Sequence, residues 1–328
     1  MVAKISLIYL LSFQKPFSDI SEFSIAFFFL PYARTEWYRH LIAATQDSRT
    51  PEKDLVIRLF EPGSLPYRNF LGDLGAIVDG PHEILQSNQA TQISGALWIS
   101  SYLGLLDVVE SLLLRGANII IDDGQHWTCY PLMAAVYAGH EPVARLLLKY
   151  GANVHCRAVW VGYPLHVASR EGRISMVRLL LEEGGADVND LAAETRQNAL
   201  HEAALNGHVE VAQLLMEHGI NIDQIGGRCG TPLQAAAQCG SEPMVRLLLE
   251  RGADVNLEGA DFCSPLIAGT IKGEKCIVRL LLDYGANVNA VSRQYGTALN
   301  WALSEGNVEI IHLLRERGGE DVGGEVIK

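Results

Sequence analysis

Apolar residues in this chain fall into short clusters that return at a nearly constant interval. From Gly95 to Gly319, a pair made of a small or cyclic residue and leucine occurs seven times: Ala96-Leu97, Pro131-Leu132, Pro164-Leu165, Ala199-Leu200, Pro232-Leu233, Pro265-Leu266 and Ala298-Leu299. The spacings are 35, 33, 35, 33, 33 and 33 residues. A period of about 33 predicts a solenoid of stacked helix pairs.

Each block reads as two helices. Pro131, Pro164, Pro232 and Pro265 open the first, where a missing N–H costs nothing. Thr231, Ser264 and Thr297, one residue earlier, can accept the unpaired N–H groups of the first turn. Ala134-Ala135, Ala203-Ala204 and Ala236-Ala237 keep that helix slim enough for close stacking. Gly104, Gly139, Gly172, Gly207, Gly240, Gly273 and Gly306 stand where a left-handed residue can end it. The second helix carries runs such as Met176-Val177-Arg178-Leu179-Leu180-Leu181, whose apolar positions must be buried against neighbouring blocks. Leu247 and Leu280 are expected in that core. A glycine with a small neighbour, as in Gly151-Ala152-Asn153 and Gly252-Ala253-Asp254, then closes the helix before a loop leads to the next anchor.

The blocks TPLQAAAQCGSEPMVRLLLERGADVN (Thr231 to Asn256) and ALHEAALNGHVEVAQLLMEHGINID (Ala199 to Asp223) resemble ankyrin repeats. The resemblance implies an all-α solenoid of about seven helix pairs over 95–319, with projecting hairpin loops and a flexible tail at 320–328. It also implies a role for His166 and His201, two residues after the anchor, in bonding loop backbone. His140 and His208, after the helix-ending glycine, occupy another usual histidine position.

Residues 1–94 do not repeat. Ile5 to Phe13 (ISLIYLLSF) resembles a signal-peptide core, but Gln14-Lys15-Pro16-Phe17 offers no small-x-small cleavage site. Ile25 to Leu30 (IAFFFL) is far shorter than the roughly 20 residues a bilayer requires. Residues 1–29 are therefore left unassigned and no membrane partner is expected. Leu30 to Ala44 (LPYARTEWYRHLIAA), Pro51 to Phe60 (PEKDLVIRLF) and Pro66 to Leu71 (PYRNFL) read as short helices separated by Pro62-Gly63 and followed by Asp79-Gly80-Pro81. Together, residues 30–94 are expected to cap the first repeat. With Pro31, Tyr32, Ala33, Trp37 and His40 on one helix, this stretch is similar to the one preceding the ankyrin array in fungal NACHT-type receptors. GTPLQAAA and GTALNWAL also look like repeats common there. That resemblance implies a fungal, intracellular setting, cytoplasmic or nuclear. Those receptors bind nucleotide through a G-x-x-x-x-G-K-[ST] loop, and this sequence contains no Gly-Lys pair. A nucleotide cofactor is not expected.

The net charge of −12 argues against direct nucleic-acid binding, which needs a basic surface. Cys129, Cys156, Cys229, Cys239, Cys263 and Cys276 lack C-x-x-C or zinc-ligand spacing and read as reduced structural thiols, with no metal expected. No nucleophile–histidine–acid set or carboxylate pair stands out, so the chain is read as non-enzymatic.

In ankyrin proteins, partners lie in the concave groove formed by loop tips and the exposed face of the first helix. At offsets three, six and seven from the anchor, early repeats present Ile99, Tyr102, Leu103, Ala134, Tyr137 and Ala138. Later repeats present Val167, Arg170, Glu171, Glu202, Leu205, Asn206, Gln238, Lys272, Trp301, Ser304 and Glu305. The groove is thus expected to be apolar early and polar late. Three or four residues before the anchors stand Trp127, Trp160, Arg196, Arg228, Phe262 and Tyr295, many of them of the types that dominate binding hot spots. Tyr102, Trp127, Tyr137, Trp160, Arg170, Arg228, Tyr295 and Trp301 are the candidate contacts. Packing offers another role: Trp127 and Trp160 can stack on each other, and the cap can cover Ile99 and Leu103. The leading expectation is a monomeric scaffold or adaptor for a protein or peptide partner. The alternative is a transcription coregulator acting through a DNA-binding partner.

Overall fold

The computed structural model describes residues 89–119, 130–157, 162–259 and 264–321. These contain seven helix pairs in the predicted order. The chain divides into two compact units, Met1–Cys156 and Arg157–Lys328. In the first lie α1 (Gln89–Tyr102), α2 (Leu106–Leu114), α3 (Pro131–Ala138) and α4 (Glu141–Lys149). The second holds α5 (Pro164–Arg170), α6 (Ile174–Glu182), α7 (Ala199–Leu205), α8 (Val209–Glu217), α9 (Pro232–Cys239), α10 (Glu242–Glu250), α11 (Pro265–Lys272), α12 (Lys275–Asp283), α13 (Ala298–Glu305) and α14 (Val308–Glu316). Its hairpin strands β1 (Val291–Ser292) and β2 (Gly296–Thr297) pair antiparallel, with Val291 opposite Thr297. Of the helical cap expected at 30–94, residues 30–88 lie outside the described residues, and from Gln89 the chain is already in α1.

Local chemistry sets the helix ends. Proline fills the first turn of α3, α5, α9 and α11, as the repeat pattern requires. The Oγ1 of Thr231 accepts from the Gln234 N–H at 3.2 Å, while Gln234 Oε1 accepts from the Thr231 N–H at 2.8 Å. Asn198 with His201 and Thr297 with Asn300 make the same reciprocal box. Ser264 makes only the first of the two bonds.

Burial follows the stack. In the second unit the first helices pack in the order α5, α7, α9, α11, α13, and the second helices line up behind them. The leucines of the second helices form the inner layer: Leu180, Leu215, Leu248, Leu281 and Leu314 are wholly buried, while Leu247 and Leu280 are each 7% exposed.

Polar side chains tie successive repeats together. The Nε2–H groups of His166 and His201 donate to the carbonyls of Gln197 and Gly230, both at 3.0 Å, bridging to the loop of the next repeat. His201 Nδ1 accepts from the Asn198 N–H, which fixes the tautomer. His208 reaches back to the Arg170 carbonyl at 2.9 Å, and in the first unit His140 reaches the Tyr102 carbonyl at 3.0 Å. Both rings sit over a glycine. A Cβ on Gly104 would lie 2.5 Å from the His140 ring, and one on Gly172 would lie 2.6 Å from His208.

A second ladder runs through the closing turns. Asn189, Asp223, Asn256 and Asn289 accept the N–H groups of Asn221, Asp254, Asn287 and Glu320 at 2.7–3.0 Å. The three asparagines also donate to the carbonyls of Gly219, Gly285 and Gly318. The longer spacing of repeat three has a local cause. One extra residue enters the turn Glu183-Gly184-Gly185, where Ala186 N–H returns to the Leu180 carbonyl. Another enters the loop at Arg196, whose φ of 58° makes it the one non-glycine in the left-handed region among the described residues.

Truncating Leu248 or Leu281 to Ala is expected to cost about 2–5 kcal/mol, measured by urea denaturation, because each sits in a filled interior. Burial also lowers the pKa of His166 below its ordinary value and that of His201 to about 4, although the bonded carbonyls of Gln197 and Gly230 oppose the shift. The unfolded chain takes up these protons near pH 6.5. Stability is therefore full above that pH and falls as the pH drops towards about 4. His201→Gln, which copies Gln234 of the following repeat, is expected to flatten that decline in urea titrations across this window.

Candidate functional site

The packing that holds the helices together decides which predicted contact positions reach solvent. Offset three reaches it only at Trp301 of the last repeat, which is half-buried. Ile99, Ala134, Val167 and Glu202 are all buried, because this position faces a neighbouring helix or loop, and Leu103 is buried as well. These residues are removed from the expected exposed face. The accessible edge lies at offsets six and seven, near the ends of the first helices. Tyr137, Glu171, Asn206, Lys272, Ser304 and Glu305 are exposed there, with Tyr102, Arg170, Leu205 and Gln238 half-buried beside them.

In the first unit this edge carries an aromatic column. Trp98 and Tyr102, four residues apart on α1, stack with centroids 5.5 Å apart and planes 9° from parallel. Tyr102 in turn stacks on Tyr137 of α3 at 6.4 Å and 16°. Exposure rises along the column: Trp98 is 4% exposed, Tyr102 is half-buried and Tyr137 is 45% exposed. The buried tryptophan anchors a column whose most exposed member is Tyr137. Trp98 was not among the sequence candidates, although its i, i+4 spacing to Tyr102 places both on one helix face.

The second unit has a different surface. The Nε and Nη2 of Arg170 donate to the two carboxylate oxygens of Glu202, each at 2.9 Å. The Glu202 side chain is only 9% exposed and that of Arg170 35%, so the pair is sunk into the surface rather than extended from it. A bidentate pair of this kind fixes the guanidinium in one plane. Its signal in the sequence is an arginine at offset six followed by a glutamate at offset three of the next repeat. At the far end, Tyr295 from the β1–β2 hairpin meets Trp301 of α13 edge-on, with centroids 5.4 Å apart. Arg228 is exposed on the loop before α9, and Arg196 is exposed on the loop before α7. Trp127, Trp160 and Phe262 lie outside the described residues.

Several of the reactive groups among the described residues are committed to structure. His166 and His201 are buried and bonded to backbone carbonyls. Burial pushes the Cys156 thiol up to about 12, which keeps it protonated and unreactive. Cys229 donates its S–H to Gln238 Oε1 at 3.2 Å. Among the described residues, no three of His, Cys, Asp and Glu gather in a way that could hold a metal ion. Nor is any helix there long and apolar enough to cross a membrane.

This geometry agrees with comparisons to known proteins. The family model for ankyrin repeats in three copies matches residues 96–192 and 189–259, and a second ankyrin-repeat model, of many copies, matches residues 270–315. Among curated proteins none matches the sequence. Among solved structures, the human ASB11 ankyrin repeat domain is similar at 30% identity and a TM-score of 0.60, over 69% of this chain and 99% of that one. Ankyrin repeats generally serve as protein–protein interaction modules. With its seven helix pairs, capped first turns and family-model matches over residues 96–259 and 270–315, the chain belongs to the ankyrin-repeat family.

Proposed function

We propose that the chain works as a non-enzymatic scaffold or adaptor that holds a protein or peptide segment against the edge of its first helices. The observation that carries this reading is the Tyr102–Tyr137 stack. Packing accounts for Trp98, which is buried, but does not require a Tyr137 ring that is 45% exposed over an aligned neighbour. Stacked tyrosines offer a rigid, flat face with few rotamers to fix, suited to an apolar or guanidinium-bearing side chain. The net charge of −12 favours encounter with a basic segment. In the second unit, taken by itself, Arg228 and the Tyr295–Trp301 corner are separate candidate contacts. Arg170 is held by Glu202, which makes it a positioning element and a secondary candidate for contact.

The test compares the full chain with Tyr102→Ala/Tyr137→Ala in affinity purification with mass spectrometry, after circular dichroism has matched the helix content of the two. Loss of specific partners with the two rings is the expected outcome. Retention of the same partners would remove the aromatic column from the binding surface.

A further inference from the structure

The loops that lead into the first helices of the second unit share a backbone device, and one of them departs from it. Two residues before their anchors stand Gly162, Gly230 and Gly296, with φ of 84°, 78° and 68°. Glycine takes that left-handed conformation without a steric penalty. In the loop before α7 the left-handed residue is Arg196, with φ of 58°. A bulky side chain on such a backbone is strained, and strain of this kind is kept at ligand clamps and switch regions, where it aims a side chain.

Arg196 borders a cleft. Together with Thr195 it forms one wall of a space of about 590 Å³, and Asn221, Asp223, Gln224, Ile225, Gly226 and Gly227 of the next loop form the rest. The two walls are locked together, since Gly227 N–H donates to the Thr195 carbonyl and a Cβ on Gly226 would lie 2.3 Å from the Arg196 carbonyl oxygen. Most polar groups of the far wall are already engaged. Asn221 Oδ1 accepts from the Asp223 N–H at 3.1 Å, Gln224 Nε2 donates to the Ile225 carbonyl at 2.9 Å, and the Asp223 carboxylate accepts from the Asp254 N–H at 3.0 Å. The guanidinium differs. Arg170, Arg178, Arg246 and Arg317 are all ion-paired, and Glu194, the acid nearest to Arg196 in sequence, faces Arg157 at 4.0 Å. Among the described residues Arg196 makes no ion pair, and Ile225 beside it is 45% exposed.

We propose that this cleft binds a carboxylate carried on an extended peptide segment of a partner, with an apolar residue next to it. Arg196 takes the carboxylate through two parallel N–H bonds. Ile225 supplies the adjoining apolar surface, and Gly226 and Gly227, which have no side chains, leave room for the backbone of the segment. A phosphate fits less well, because its charge of roughly −1.5 to −2 would meet a single arginine with the Asp223 carboxylate in the same lining. The net charge of −12 repels acidic partners at long range, so recognition here is a contact made inside the screening distance of about 8 Å. The site lies within the second unit and does not rest on the Tyr102–Tyr137 reading.

NMR titration of the full chain with the blocked peptide acetyl-Leu-Glu-Leu-amide tests this. The amides of residues 195–197 and 224–227 are expected to shift, and acetyl-Leu-Gln-Leu-amide is expected to bind at least about tenfold more weakly. Arg196→Gly is expected to cause the same loss while keeping helix content and the urea midpoint, since relief of the strained backbone offsets the greater chain entropy of glycine. Acetyl-Leu-Gln-Leu with a free C-terminus separates the two sources of a carboxylate: binding at the strength of the glutamate peptide assigns the cleft to a chain end, and failure to bind assigns it to an acidic side chain. Three results would each overturn the proposal: no shift at millimolar glutamate peptide, equal affinity for the glutamate and glutamine peptides, or binding that survives Arg196→Gly. Tighter binding of the phosphoserine counterpart would overturn the choice of a carboxylate.

Discussion

A first helix of this fold is too short and too apolar to stand alone, and the structure depends on its being covered by its neighbours. Seven or eight residues make barely two turns, well below the length at which an isolated helix is stable in water. A small residue at offset four (Ser100, Ala135, Ala168, Ala203, Ala236, Gly269, Ala302) lets the neighbours approach closely, and the leucine-rich second helix closes the back. Stability is then a sum of nearest-neighbour contacts, with no central core and no single indispensable residue. This makes the two ends of the array the places where the design has to change.

Much of the fold was legible because each repeat states the same rule. The anchor pair, the capping residue and the helix-ending glycine sit at fixed offsets, and all seven of those glycines have positive φ. The bonds of His166 and His201 to loop backbone were also readable, through the resemblance to ankyrin repeats, which place a histidine two residues after the anchor. The exposed face was harder to read. Offset three lies on the same nominal side of the helix as offsets six and seven, yet Ile99, Val167 and Glu202 are covered by neighbours that no single-repeat pattern reveals. The Arg170–Glu202 bridge spans 32 residues and belongs to neither repeat alone. Such pairs arise from the stacking distance between repeats, which periodicity implies but does not populate with particular side chains.

The two described surfaces differ in what they could recognise. The first unit presents Tyr137, exposed at one end of an aromatic column, and the second unit presents a locked ion pair, an exposed Arg228 and an edge-on aromatic corner. A fold this uniform acquires individuality at such places, since the residues that hold it together are already assigned.

The ladder of Asn189, Asp223, Asn256 and Asn289 bears on how such a chain can vary in length. Each rung joins points about thirty residues apart, so the helices between two rungs are held to a common length. Repeat three nevertheless carries two additional residues, and its rung from Asn189 to Asn221 is intact. Both were absorbed where the backbone was already left-handed or free to become so, at Gly185 and at Arg196. Growth is thus channelled into two elbows per repeat, and a lineage can lengthen the turns and loops that meet other molecules without disturbing the stack behind them.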